Sequence, residues 1–289
     1  MLSKFGLLVM RLTAFLPLSL VRALGAVLGL LLYAFAWERR RVTRVNLQVC
    51  FPKKNAYELK ELMKKTFIKF AQAWLDRSWL WHGPSDLIQS RLQIVGDLEQ
   101  ITGVDPVVIF APHFVGLDAG WTALTQQVDR SFSTIYTQQA NKTVDSWVLK
   151  GRQRFGKNTL ISRYKGAKQA LRALQSGDAL YLLPDMDYGP VDSLFVSFYG
   201  IPTATVPSLS RFAKLAQAKV VPVVTRLTLE GYEIHVMPAW DPFPGETLNQ
   251  DAWLMNQRLE ALIQTMPEQY FWVHKRFKTR PKGDPSFYE

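Results

Sequence analysis

From Phe5 to Trp37 the chain is almost wholly apolar, interrupted by Arg11, Pro17 and Arg22. Such a run has to be covered, by protein or by lipid, because exposing it to water forfeits the main favourable term in folding. Its uncharged part, "ALGAVLGLLLYAFAW" (Ala23–Trp37), is short of the ~20 residues a full span needs. Together with the preceding "LTAFLPLSLV" it makes either one tilted span carrying Arg22 or two shorter helices lying in one leaflet. The cluster Arg39, Arg40, Arg41 and Arg44 follows directly, and basic residues beside an apolar run belong on the cytoplasmic side. No small-residue cleavage site precedes "WERRRVTR", which argues against a signal peptide. A buried core helix competes with the membrane reading. The basic flank and the aromatic boundary of Tyr33, Phe35 and Trp37 favour the membrane.

This divides the chain into a membrane-anchoring segment, 1–44, and one globular domain, 45–289. A chain of 289 residues can bury a sizeable core. Apolar residues at helical spacing predict a helix from about Ala56 to Trp81. From Val107 onward short apolar runs alternate with helical patterns. The expected strands are "VVIFA", "FSTIYT", "NTLIS", "ALYLL", "SLFVSFYG" and "KVVPVV", followed by a hairpin turning at Glu230-Gly231. Helices are expected to start near Asp118, Val144, Gly166 and Val206, with a last one over about Leu248 to Met266. The fold class is therefore α/β: a mostly central sheet with helices on both faces, preceded by a membrane helix or helical hairpin.

The formal net charge is +11 and the pI about 9.7, which suits an anionic partner: nucleic acid, a phosphorylated substrate or an acidic membrane face. The single cysteine, Cys50, allows no internal disulfide and fits a reducing compartment.

Chemistry concentrates in "VVIFAPHFVGLDAG", where His113 and Asp118 follow a strand. Five residues on a regular helix rotate by about 140°, so the two would share no face there. They meet only if the chain changes direction, which Pro112 and Gly116 permit. His113 is then expected in the loop and Asp118 in the next helix's first turn. A carboxylate on one ring nitrogen fixes the tautomer and leaves the other nitrogen to take a proton. A structural histidine capped by an aspartate is the bland alternative. No G-x-S-x-G elbow is present and Cys50 is remote, so a substrate hydroxyl is the expected nucleophile. Further polar groups follow other strands and helices: Lys150, Arg152, Arg154 and Lys157, then Arg163, then Asp185 and Asp187. Sites in α/β sheets form at the carboxyl ends of strands.

H-x-x-x-x-D after a strand, a later arginine, P-D-x-D and "VVPVV" resemble the glycerolipid acyltransferase superfamily. The fuller strings "APHFVGLDAG", "KGRQRFG", "PDMDYGPVDSLFVSFYGIPTAT" and "PEQYFWVHKRFKTRP" look like one branch, the late lauroyl and myristoyl transferases of lipid A biosynthesis. The resemblance covers essentially the whole chain. Where many members of that family carry Glu, this chain has Asp118, and either carboxylate can orient a histidine.

The resemblance implies acyl transfer from an acyl carrier protein thioester to a hydroxyl of a phosphorylated lipid A precursor, at the bacterial inner membrane with the catalytic domain facing the cytoplasm. His113 would be the general base and Asp118 its orienting partner, with no metal, organic cofactor or acyl-enzyme required. Arg152, Arg154 and Arg163 are the expected phosphate contacts, because guanidinium grips phosphate in a bidentate way. Asp185 and Asp187 would bind sugar hydroxyls or order the arginines. Lys275 and Arg276, beside His274, form either a solvated tail or a phosphate-facing element. A lysophospholipid acyltransferase shares the His-Asp pair, but typically carries Glu-Gly where this chain has Asp185-Met186. A basic membrane-attached binding protein, for instance for nucleic acid, would make no use of a buried His-Asp pair. A metal hydrolase lacks a compact ligand cluster such as H-E-x-x-H. His82 is expected to be packed or interfacial, and His235 carries no functional signal.

Overall fold

The computed structural model describes residues 2–289. Three helices come first: α1 (Leu2–Thr13), α2 (Leu18–Phe35) and α3 (Trp37–Cys50). The long α4 (Ala56–His82) matches the expected helix, and its start is fixed by a capping box between Asn55 and Glu58. After α5 (Ser85–Ser90) come β1 (Leu92–Gly96), β2 (Val107–Phe110), α6 (Leu117–Gln127), β3 (Phe132–Tyr136), α7 (Lys142–Arg152), β4 (Asn158–Ser162), α8 (Gly166–Gln175) and β5 (Ala179–Leu182). The chain continues with β6 (Leu194–Phe198), β7 (Ile201–Thr205), α9 (Ser208–Ala216), β8 (Lys219–Leu227), β9 (Tyr232–Val236) and α10 (Leu248–Thr265).

Seven strands form the main sheet in the order β1-β9-β8-β2-β5-β3-β4. All neighbours are parallel except β8 and β9, the expected hairpin. The carboxyl ends of β2, β3, β4, β5 and β8 therefore share one edge. The central β2 and β5 are buried along their whole length, as parallel strands covered on both faces must be. Alternate side chains feed two cores. Val108, Phe110, Leu180 and Leu182 pack with residues of α8, α9 and α10. Val107, Ile109, Ala179 and Tyr181 pack with residues of α6 and the end of α4.

Three strands, β6, its unexpected partner β7 and β1, depart from the expected layout. "SLFVSFYG" belongs not to the main sheet but to a separate hairpin with β7, against α10. Its turn uses Tyr199 (φ 52°) and Gly200 (φ 79°), the left-handed pair that a two-residue hairpin turn requires. β1 was not expected, because this edge strand is largely exposed and lacks an apolar alternation.

Helix α2 is long and apolar enough, by length and composition, to cross a membrane. It also packs along α4. A Cβ on Gly25 would stand 2.7 Å from the Gln72 Cα, and one on Gly29 would stand 2.5 Å from the Ile68 Cα. Glycine at this i, i+4 spacing lets the two backbones approach. Arg22 of α2 pairs with the fully buried Asp76 of α4 at 3.0 Å. The expected boundary at residue 44 falls inside α3, whose Asn46 amide donates to the carbonyls of Trp272 and His274.

Candidate active site

β2 and β5 are neighbours, with Phe110 paired to Leu182, and the Ala111 N–H continues the ladder to the Leu182 carbonyl at 2.9 Å. His113 and Asp185 each lie three residues beyond that last pair, so two parallel strands leaving the sheet in register deliver them side by side. His113 Nδ1–H donates to Asp185 Oδ1 at 2.7 Å, and the His113 backbone N–H donates to Asp185 Oδ2 at 3.0 Å. Tyr270 adds a third donor, its hydroxyl 3.0 Å from Asp185 Oδ2. Asp185 is fully buried, which by itself would raise its pKa. The charge of His113 and the three hydrogen bonds outweigh that burial and hold it below the usual carboxylate range. With Nδ1 committed, Nε2 carries the free lone pair, and the ring is partly exposed.

This corrects the expected pairing. Asp118 sits in the first turn of α6 as anticipated, but its carboxylate faces two guanidinium groups rather than the imidazole. Arg77 Nε of α4 donates to it at 2.7 Å and Arg152 Nε of α7 at 2.8 Å. Burial opposes ionisation there, yet Arg152 and Arg77 prevail and bring its pKa down to about 2. The physical reason is charge balance. A buried carboxylate is held most firmly by permanent cations, and α4 and α7 each supply one.

Most of the expected phosphate contacts are also corrected. Arg154 donates to the carbonyls of Leu80 (3.3 Å) and Gly83 (2.5 Å) and so ties α7 to the end of α4. Arg276 is 2% exposed, donates to Ala204 O and Thr205 Oγ1, and lies over the Phe198 ring. Asp187 accepts from Thr279 N–H and Oγ1–H and from Gly189 N–H, so three of its about four acceptor positions are taken within the protein. Asp185 is spent on His113 and Tyr270. Lys275 lies 3.8 Å from Glu38 at the surface. Arg152 is half spent on Asp118. Arg163 alone of these is an exposed guanidinium with no acidic partner among the described residues; it stacks on the Tyr188 ring at 4.2 Å.

The C-terminal segment, expected to be either a solvated tail or a phosphate-facing element, instead braces the loop that carries His113. Gln269 bonds both backbone groups of Leu227 at the end of β8, and its own carbonyl accepts from Val115 N–H. Phe271 N–H donates to the His113 carbonyl at 3.0 Å. His274 Nε2 accepts from the Asp187 N–H at 3.2 Å, and burial, with Arg276 and His113 nearby, pulls its pKa down to about 4. Tyr270, Gln269 and Arg77 are thus neighbours of the candidate site that sequence reasoning missed. The adjacent charges Asp76-Arg77 inside the aromatic run "WLDRSWLW" were the available signal for Arg77. Among the described residues no group of three His, Cys, Asp or Glu side chains is placed to hold a metal ion.

The family model "Bacterial lipid A biosynthesis acyltransferase" matches residues 1–279. The Escherichia coli K12 lipid A biosynthesis lauroyltransferase is 30% identical over 99% of this chain and 94% of its own length. A Haemophilus influenzae lipid A biosynthesis acyltransferase is 31% identical over 96% of this chain and 88% of its own. The E. coli lipid A biosynthesis myristoyltransferase is 29% identical over 85% of this chain and 77% of its own. A solved 1-acyl-sn-glycerophosphate acyltransferase from Thermotoga maritima overlays on 86% of this chain and 96% of its own, with 12% identity and a TM-score of 0.40. An ordered set of strand-end motifs, a histidine poised by a buried carboxylate and near full-length relatives agree, and the chain belongs to the bacterial lipid A biosynthesis acyltransferase family.

Proposed function

We propose that the protein transfers a fatty acyl chain from an acyl carrier protein thioester to a hydroxyl of a phosphorylated lipid A precursor, at the cytoplasmic face of the bacterial inner membrane. The observation that carries this is the His113–Asp185 pair at the sheet's carboxyl edge, with Nε2 open. Nε2 takes the proton of the acceptor hydroxyl as its oxygen attacks the thioester carbonyl carbon. Asp185 holds the Nδ1–H tautomer and stabilises the imidazolium that forms. Collapse of the tetrahedral intermediate breaks the C–S bond, and the proton passes from His113 to the departing sulfur. Asp118 acts through Arg77 and Arg152, keeping both guanidinium groups beside the catalytic loop. Arg163 is the free cation best suited to an acceptor phosphate. The apolar α2 and the excess of positive charge support attachment to a membrane and recognition of anionic partners.

The test is turnover by the purified full-length protein with acyl carrier protein thioester and lipid A precursor, read by mass spectrometry. A lysophospholipid acceptor serves as the comparison. Transfer to the lipid A precursor that His113→Ala abolishes is the expected result. Preference for the lysophospholipid would overturn the acceptor assignment, and transfer from coenzyme A thioesters alone would overturn the donor.

A further inference from the structure

A cleft of about 870 Å3 lies between α1, the end of α4 and α7. None of its lining residues belongs to the loops after β2 or β5, so it is separate from the His113–Asp185 site. Its floor is aromatic: Trp81 and Trp147 are both buried and meet edge to face with centroids 4.4 Å apart. Trp147 Nε1–H donates to His82 Nε2 at 2.9 Å, so His82 is held as the neutral tautomer. Leu7 and Leu8 of α1 supply an aliphatic wall. The rim is cationic. Arg11, Lys142 and Lys150 are exposed, and none has a hydrogen bond or an acidic partner for its side chain among the described residues. Among the described residues no Asp or Glu lines the cleft.

Three unpaired cations around an apolar, aromatic floor match an anion attached to an apolar body. A free phosphate would leave the floor unused, and an uncharged lipid would leave the cations unused. Outside the cleft α1 continues the apolar surface with Phe5, Leu12 and Phe15, all exposed, along which acyl chains can leave the site. We infer that this cleft binds an anionic phospholipid of the bilayer, its phosphate between Arg11, Lys142 and Lys150 and its apolar part on Leu7, Leu8, Trp81 and Trp147. The site also has a line to the catalytic region. Trp81 packs against Gly151, where an added Cβ would stand 2.2 Å from the ring, and carries the Arg77 guanidinium 5.6 Å above it. An occupied cleft would therefore steady α7 against α4, and with it the Arg77–Asp118–Arg152 cluster.

This reading rests on the protein meeting a bilayer and is independent of the acceptor. The full-length protein in nonionic detergent is titrated with phosphatidylglycerol or phosphatidylcholine carrying brominated acyl chains, and quenching of tryptophan fluorescence is read. Phosphatidylglycerol is expected to quench at a concentration lower by on the order of a hundredfold, since each of the three basic residues near the anionic headgroup contributes about 1 kcal/mol. The triple variant Arg11→Gln, Lys142→Gln, Lys150→Gln should lose that preference. The triple variant Lys53→Gln, Lys60→Gln, Lys65→Gln, with the same loss of charge elsewhere, should keep it. Ser146→Trp fills the cleft without changing charge and should abolish the preference even if the first triple variant fails to fold. Equal loss in both triple variants would reduce the effect to general surface charge and overturn the site. Displacement of the lipid by equimolar inorganic phosphate would overturn the lipid assignment. A raised KM for the lipid A precursor in the Arg11, Lys142, Lys150 variant would reassign the cleft to the acceptor. Failure of the catalytic reading would appear instead as absent turnover in the unaltered protein, whatever the quenching.

Discussion

His113 and Asp185 are joined twice, through Nδ1–H to Oδ1 at 2.7 Å and through the backbone N–H to Oδ2 at 3.0 Å. One carboxylate thus fixes both the ring's tautomer and the loop that carries it. Its loss should act on the transition state more than on substrate binding.

Asp185→Asn is therefore expected to lower kcat by about 10^3 to 10^4, with KM little changed, because an amide can reverse the tautomer. Asp118→Asn should behave differently. It unpairs Arg77 and Arg152, so the melting temperature should fall, with a smaller loss of kcat. Steady-state kinetics and thermal unfolding of both variants check this. A larger kcat loss in Asp118→Asn, at unchanged melting temperature, would return the orienting role to Asp118.

Tyr270→Phe removes one of three donors to a buried carboxylate and leaves the ring packing intact. A fall in kcat of about tenfold and a stability loss of about 1 kcal/mol are expected, the usual scale of a single hydrogen bond. The kcat loss should appear without a change in KM. A variant with wild-type kcat would make Tyr270 a packing residue only.

The difference between Asp118 and Asp185 marks what the chain's linear order can carry. His113 was legible because a histidine following an apolar run marks a strand end. Its partner was not, because the relevant neighbour lies 72 residues away and becomes adjacent only when β5 pairs beside β2. Alternating strands and helices were readable from local periodicity. The order in which strands pair is a long-range choice that periodicity does not encode. Arg276 illustrates a second limit. In "YFWVHKRFKTRP" its charge suggested solvent or phosphate, whereas the fold buries it against the carbonyl of Ala204 and the ring of Phe198. β6 was legible as a strand, but its exclusion from the main sheet depends on β7 and α10, which supply its partners.

The α2–α4 contact predicts a stability effect at Gly29. A valine there would overlap the Ile68 backbone and force the helices apart, at a cost of about 1–3 kcal/mol typical of overpacking. Deleting residues 1–37 should cost more, since it strips Arg22 from the buried Asp76; leaving such a charge unpaired costs about 3–5 kcal/mol. Thermal unfolding in detergent reads both. An undiminished melting temperature after the deletion would mean that the N-terminal helices add nothing to the fold.

Acid should weaken the fold in two windows. His274 titrates near 4 in the folded protein, because burial first, then Arg276 and His113, disfavour its charge. Between its ordinary value of 6.5 and about 4, the unfolded chain binds the proton and the folded one does not, so stability falls as pH drops through that range. Asp118 is depressed from 3.8 to about 2, so its contribution is complete above 3.8 and is lost as pH falls toward 2. Urea midpoints measured from pH 7 to pH 4 should decline, and His274→Gln should flatten that slope. An unchanged slope in the variant would remove His274 as its source.

Arg163 gives the sharpest test of how the acceptor is held. It follows β4 on the same sheet edge as His113, lies exposed over Tyr188, and has no acidic partner among the described residues. Its guanidinium is therefore free to meet a phosphate, and the stacked ring restricts its orientation. Arg163→Lys keeps the charge but loses the planar fork, and should raise KM for the phosphorylated acceptor several-fold, about 1 kcal/mol, with kcat and the carrier-protein KM little altered. Against an acceptor lacking one phosphate the same substitution should cost nothing if that phosphate is the partner, which isolates the contact from general damage. Arg276→Lys is the control. Buried against Ala204 O and Thr205 Oγ1, it should lower the melting temperature without any phosphate-dependent change in KM. If Arg163→Lys raises KM equally for both acceptors, Arg163 does not grip phosphate, and the half-spent Arg152 becomes the residue to test next.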